Sequence, residues 1–205
     1  MKLLYQTHSP YARKVLVAAH EMGLAPRLEV IHHETSPTWR NAEVFALNPL
    51  GKVPVLVLDD GLALFDSDVI CEHLDSLHKG RKLIPGESRA RLLSLRLQAL
   101  AQGLCDAGIA VRHETERRPA PYRYPAMRDG QIEKLTAAYD FVEREEPLSG
   151  PVCIGQVALA TALSWLAFRG LPAFEPGRPR LAAWYRDFLD RPSMLATPLA
   201  GATVD

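Results

Sequence analysis

The chain has 205 residues, 47% of them apolar and 23% charged, and its 24 Lys+Arg balance 24 Asp+Glu. That apolar content excludes bulk disorder, and the lack of a basic excess argues against nonspecific nucleic-acid binding. The longest apolar stretches fall short of the ~20 residues a membrane helix needs, and the segment Met1–Gln6 turns polar too soon for a signal peptide. Cys71, Cys105 and Cys153 lie far apart with no C-x-x-C pair. Three sparse cysteines speak against a disulfide framework or a zinc site and fit a reducing cytoplasm.

In chain order, Leu3–Gln6 is a short apolar run of strand type. Ser9-Pro10 then opens a helical pattern through Val15, Ala19 and Met22, closed by Gly23. Leu28 and Val30 mark a second strand, so the first three elements form a parallel βαβ unit. A weaker helical patch covers Trp39–Leu47. Val55–Leu58 and Leu62–Phe65 flank Asp60-Gly61, the sequence of a hairpin. Val69, Ile70, His73, Leu74 and Leu77 recur at helical spacing. The order is β-α-β-α-β-β-α over residues 1–80, with a linker at 81–87.

From Ser88 the pattern is helical throughout. A leucine-rich segment runs to Arg118 and stops at Pro119, in a loop with three prolines. Ala126–Glu146 follows with one apolar face, and Ile154–Phe168 is apolar nearly all round, as expected of a buried helix. Pro179–Leu189 is amphipathic, and the tail beyond Pro192 reads as irregular. Residues 88–205 therefore form an all-helical second domain.

Three short segments carry chemistry. In His8-Ser9-Pro10-Tyr11-Ala12-Arg13-Lys14, Ser9 stands as a helix N-cap with proline at the first helical position. Capping alone accounts for that pair. The same geometry also sets a hydroxyl beside free backbone N–H groups, where an anion such as a thiolate is stabilised. In Asn48-Pro49-Leu50-Gly51-Lys52-Val53-Pro54-Val55, Pro54 cannot be an ordinary central-strand residue. A trans turn is one reading. A cis Val53–Pro54 bond is the other, and it would leave the Val53 backbone groups at an edge open to a peptide-like ligand. In Phe65-Asp66-Ser67-Asp68, Asp66 or Ser67 caps the next helix. An acidic group, a hydroxyl and helix N–H groups together also suit a zwitterionic amino acid.

In this order and spacing the three segments resemble those of the glutathione S-transferase superfamily, nearest to its bacterial serine-type members. Residues 1–78 are similar to its thioredoxin-like domain and 88 to about 193 to its helical domain, with Arg178-Pro179-Arg180-Leu181, Trp184 and Arg191-Pro192-Ser193 in its closing part. The fold implied is an α/β thioredoxin-like domain followed by an all-α domain. The resemblance implies that glutathione is the co-substrate, with Ser9 donating its O–H to the thiolate. It also implies that Val53 pairs backbone to backbone with the cysteinyl part beside a cis Pro54. Asp66 and Ser67 would hold the γ-glutamyl end, and Lys52 would reach the peptide backbone or glycyl end. It further implies a homodimer acting on a small electrophile. Glutathione-dependent isomerisation or dehalogenation, and a non-catalytic binding module, are the alternatives.

Two departures from the pattern stand out. The buried helix starts with Cys153 and Gln156 where the family has Ser/Thr and Asp, so its cap is expected to be weak. His8 precedes Ser9 and reads as an exposed loop histidine. Arg112, His113, Arg117 and Arg118 form a basic patch, read as a solvated face or as the lining of a pocket for an acidic co-substrate.

Overall fold

The computed structural model describes residues 1–202, which divide into two compact units. The first joins Met1–Arg91 to the chain from Arg191 onward, and the second is Leu92–Asp190.

The first unit holds a four-stranded sheet of order β2-β1-β3-β4, built from β1 (Lys2–Tyr5), β2 (Glu29–His32), β3 (Val55–Val57) and β4 (Ala63–Leu64). β1 and β2 are parallel, with Leu3 opposite Val30, and are joined through α1 (Pro10–Glu21). β3 runs antiparallel to β1, with Leu4 opposite Val55, and β4 antiparallel to β3, with Leu56 opposite Leu64. α2 (Ala42–Leu47) precedes β3, and α3 (Ser67–Ser76) follows β4. The Asp60-Gly61 turn closes as expected, with Leu58 N–H donating to Leu62 O at 2.9 Å and Gly61 at φ +90°. Leu4, Val44, Val53 and Val55 are packed together on one face. Burial of such side chains is the main favourable term, about 1.5–3 kcal/mol each.

Local chemistry sets the ends of these elements. The helical patch at Trp39–Leu47 begins only at Ala42, because the Asn41 carboxamide accepts from Glu43 N at 3.1 Å and Val44 N at 3.2 Å and so caps it there. α3 starts at Ser67 with Asp66 as its N-cap, accepting from Asp68 N at 3.1 Å.

The second unit contains most of α4 (Ser88–Arg112), with α5 (Pro125–Glu145), α6 (Ile154–Phe168) and α7 (Pro179–Leu189). α4 does not reach Arg118. It ends at Arg112 and widens into a π-helical turn over His113–Arg117, in which Arg118 N–H donates to His113 O at 2.9 Å while the Arg123 guanidinium donates to Glu116 O and Arg118 O. α6 is the buried helix. A Cβ on Gly155 would lie 2.4 Å from Ser94 O, so only glycine allows α4 and α6 to approach this closely. The expected weak cap of α6 is reinforced by Gln156. Its Oε1 accepts from Cys153 N at 3.1 Å and its Nε2 donates to Leu148 O at 3.0 Å. Arg180 donates to the carbonyls of Val142, Glu143 and Glu146 at the end of α5, while the Glu143 carboxylate accepts from Arg180 N and Leu181 N at the start of α7. One residue pair thus caps two helices with opposite dipole ends.

The tail is not irregular. Pro192–Leu195 forms a short helix, α8, and the segment is anchored to α1. Glu21 accepts from Arg191 Nε at 2.8 Å, Arg191 Nη2 at 2.7 Å and Ser193 Oγ at 2.5 Å. The buried Arg13 donates to Met194 O at 3.3 Å and Thr197 Oγ1 at 3.4 Å, and Ala200 N–H donates to Thr7 O at 3.2 Å.

Candidate functional site

Strand register brings the three sequence segments to one end of the sheet. The loop Gln6–Ser9 leaves the C-terminal end of β1. β3 is antiparallel to β1, so its N-terminal end, with Val53 and Pro54 just before it, lies at the same end. β4 is antiparallel to β3, so Phe65, Asp66 and Ser67 emerge there as well. Since β1, β3 and β4 are successive neighbours in the sheet, the segments stand side by side.

Ser9 is extended, with φ −87° and ψ 121°, and its Oγ accepts from Ala12 N at 3.2 Å. It is 7% exposed. The capping bond uses the oxygen as acceptor, so the hydroxyl proton has no protein acceptor among the described residues. Both readings of Ser9 thus coexist in one geometry: it caps α1 and it keeps a donor.

The Val53–Pro54 peptide is cis, and Phe65–Asp66 is cis as well. The turn before Val53 is built by Asn48, which is buried and whose side chain donates to Lys52 O at 2.9 Å and accepts from Leu50 N at 3.0 Å. Gly51 turns at φ +64°, and a Cβ there would meet the Phe45 ring at 2.2 Å. Val53 is buried, yet neither its N–H nor its C=O is hydrogen-bonded among the described residues. The Lys52 side chain is exposed.

Asp66 is exposed at the N-terminus of α3. Ser67 is 1% exposed and its Oγ makes no hydrogen bond. Asp68 pairs with the buried Lys14 of α1, fixing α3 against α1 beside these groups. On α3, burial pushes the Cys71 thiol up to about 12, against the pull of Lys14, so this sulfur stays protonated.

His8 is not exposed: it is 5% accessible, with Nε2 4.0 Å from Glu34 Oε2. Glu34 also accepts from Gln6 Nε2 at 2.7 Å and lies 2.7 Å from His32 Nε2. Desolvation raises the Glu34 pKa, but the bonds from Gln6 and His32 and the charges of His8 and His32 outweigh it and hold the carboxylate below its usual range. Sequence reasoning singled out neither Gln6 nor Glu34. The available signal was two polar residues within two positions of the ends of paired strands, with β1 and β2 parallel and ending at the same edge. His32 and His33 take separate partners, Glu34 and Glu43. Among the described residues no group of three His, Cys, Asp or Glu is placed to hold a metal ion, and no helix is long and apolar enough to cross a membrane.

Residues 8–77 match the family model for the glutathione S-transferase N-terminal domain, and residues 113–187 that for the C-terminal domain. The chain is 31% identical over 202 residues to the uncharacterized GST-like protein YibF of Escherichia coli (strain K12), an alignment spanning 96% of this chain and 98% of that one. It is similar to the crystal structure of a glutathione transferase family member from Pseudomonas fluorescens Pf-5 with bound glutathione, with a TM-score of 0.93 and 38% identity, covering 98% of this chain and 99% of the other. A second Pseudomonas fluorescens Pf-5 structure, with bound S-(propanoic acid)-glutathione, gives a TM-score of 0.89 at 38% identity, covering 98% and 100%. A glutathione S-transferase from Methylobacillus flagellatus kt with bound glutathione gives 0.84 at 32% identity, covering 97% and 99%.

Proposed function

The chain belongs to the glutathione S-transferase superfamily, and from that membership we propose that it binds glutathione at this end of the sheet and activates the thiol for attack on a small electrophile. The observation that carries the reading is a set of buried polar groups without intramolecular partners: the Ser9 hydroxyl proton, both Val53 backbone groups and the Ser67 hydroxyl. Buried polar groups are almost always satisfied, and leaving one unmade costs about 1–3 kcal/mol. Four such groups on three neighbouring segments are reserved for a ligand that supplies the missing partners.

Glutathione has them. Its cysteinyl backbone offers one N–H and one C=O to Val53. Its γ-glutamyl end carries an ammonium for Asp66 and a carboxylate for Ser67 and the α3 N-terminus. Lys52 contributes a cation for the glycyl end. The sulfur then falls to Ser9. A free thiol with pKa ~8.5 is mostly protonated at neutral pH, and an O–H donor at a helix N-terminus favours the thiolate. Lowering the pKa by two units corresponds to ~2.7 kcal/mol of differential stabilisation. The bound glutathione and S-(propanoic acid)-glutathione of the Pseudomonas fluorescens structures support this ligand class. Family membership leads us to propose a homodimer, to be checked by sedimentation, and three free cysteines agree with a reducing cytoplasm.

The test is the ultraviolet absorbance of bound thiolate against pH in the parent and in Ser9→Ala. We expect the titration to move to higher pH and conjugation near pH 7 to slow, with glutathione affinity little changed. Superimposable curves would refute the role of Ser9, and no binding of glutathione at several millimolar would refute the site.

A further inference from the structure

A second feature lies wholly within the helical unit. A Cβ on Gly108 of α4 would lie 2.7 Å from Leu166, 2.8 Å from Trp165 and 2.9 Å from Leu171, so α4 meets the C-terminal end of α6 in near-backbone contact. One turn further along each helix stands an arginine: Arg112 on α4 and Arg169 at the end of α6. Arg117 follows at the end of the π-helical turn.

Arg112 is buried rather than solvated, and its Nε and Nη2 donate to Glu116 Oε2 at 3.2 and 2.9 Å. Arg169 is different. Its Nε and Nη2 are buried and hydrogen-bond to nothing among the described residues, and its guanidinium carbon sits 4.7 Å from the Phe168 ring centroid. Burial and the like charges of Arg112 and Arg117 push its pKa down, against the single pull of Glu116. Arg117 is pushed down by burial and by Arg112 in turn. His113 adds no charge near neutrality, since burial and the charges of Arg117 and Arg118 lower its pKa. Arg118 pairs with Glu114 at 2.9 Å.

The Nε–Nη2 edge is the side of a guanidinium that takes two oxygens at once, and a buried cation without an acceptor is costly. We propose that Arg169, backed by Arg112 and Arg117, forms a binding site for a small oxyanion, a phosphate or carboxylate group. Such a group supplies the two acceptors that Arg169 lacks and offsets the repulsion among the three guanidinium groups. Arg169 itself is half-buried between the exposed Phe168 and Gly170. The site uses none of the residues assigned to glutathione.

The experiment is calorimetry with inorganic phosphate and, separately, malonate, at ionic strength held constant with chloride. The proteins are the parent, Arg169→Gln, Arg117→Gln and Arg128→Gln, the last a half-buried arginine of α5 paired with Asp129. Saturable binding in the parent is expected, weakened at least tenfold in Arg169→Gln and several-fold in Arg117→Gln, and unchanged in Arg128→Gln. The tighter of the two anions identifies the oxygen geometry preferred. Melting without added anion should be no lower in Arg169→Gln than in the parent. Binding that does not saturate in the parent, or that is equal in the parent and both cluster variants, is the general effect of an excluded salt and overturns the proposal.

Discussion

Glu21→Gln removes one negative charge from α1 and leaves its shape. In the parent this carboxylate accepts three hydrogen bonds, two from the Arg191 guanidinium and one from Ser193. Each bond to a charged group is worth about 1.5–3 kcal/mol when buried. The Glu21 side chain is 11% exposed and that of Arg191 36%, so water screens part of the attraction. The amide still accepts one bond, and the three do not add. A loss of about 2 kcal/mol at pH 7 is the reasonable sum, which for a chain of this size lowers the melting temperature by about 4–8 °C. The pH dependence sharpens the test. Desolvation raises the Glu21 pKa, but the bonds from Arg191 and Ser193 and the charges of Arg191 and His20 outweigh it, so the folded value lies below the ordinary one. The stabilisation is therefore complete above the unfolded pKa of about 4.3 and is lost as pH falls through the lower folded value. Thermal melts of parent and variant should differ fully at pH 7 and converge toward pH 3. A gap as wide at pH 3 as at pH 7, or no gap at pH 7, would show that the charge does not hold the tail.

Ser67→Ala should weaken glutathione binding several-fold in calorimetry without lowering the melting temperature, because the hydroxyl makes no hydrogen bond within the protein. Asp66→Ala should do both, costing about 1 kcal/mol of helix cap and about 1.5–3 kcal/mol of binding. Gly155→Ala drives a methyl to 2.4 Å from Ser94 O and should lower the unfolding free energy read from denaturant titration by about 1–3 kcal/mol. Gly130→Ala, in α5 with nothing within 4 Å, should raise it by about 0.5–1 kcal/mol. With an aromatic disulfide reagent at pH 8, the native protein should show reaction at Cys153 alone, since Cys105 is buried and the Cys71 thiol is held up at about 12 by burial.

Much of this was legible along the chain because it is local chemistry. Ser9-Pro10 and Asp66 announce helix starts through side chains that bond two or three residues on, and Asp60-Gly61 announces a turn. Gln156 is legible in the same way, as an amide three residues after a cap position, although its second bond, to Leu148 O, is not. The failures are of two kinds. The helical pattern of α4 continues in composition past Arg112, and nothing in residue type separates an α turn from the wider turn over His113–Arg117. Long-range pairing is the other: Glu21 and Arg191 are 170 residues apart, and Arg13 reaches Thr197 across 184. His8 belongs with these, because a loop histidine is buried or exposed according to what the distant chain lays over it. Gly201 does so here, since a Cβ on it would lie 3.4 Å from His8 Nδ1.

That last contact bears on how the molecule is made. The sheet-bearing unit is not one stretch of chain: its final piece, from Arg191 onward, is synthesised after the whole helical unit. Ribosomal synthesis proceeds at roughly 5–20 residues per second, so the loop bearing Ser9 emerges many seconds before the segment that hydrogen-bonds Thr7 and closes over His8. The first unit to appear is thus the last to be finished, and a nascent chain halted near residue 190 would carry every residue of the proposed glutathione site, but with Ser9 on a loop still lacking its covering.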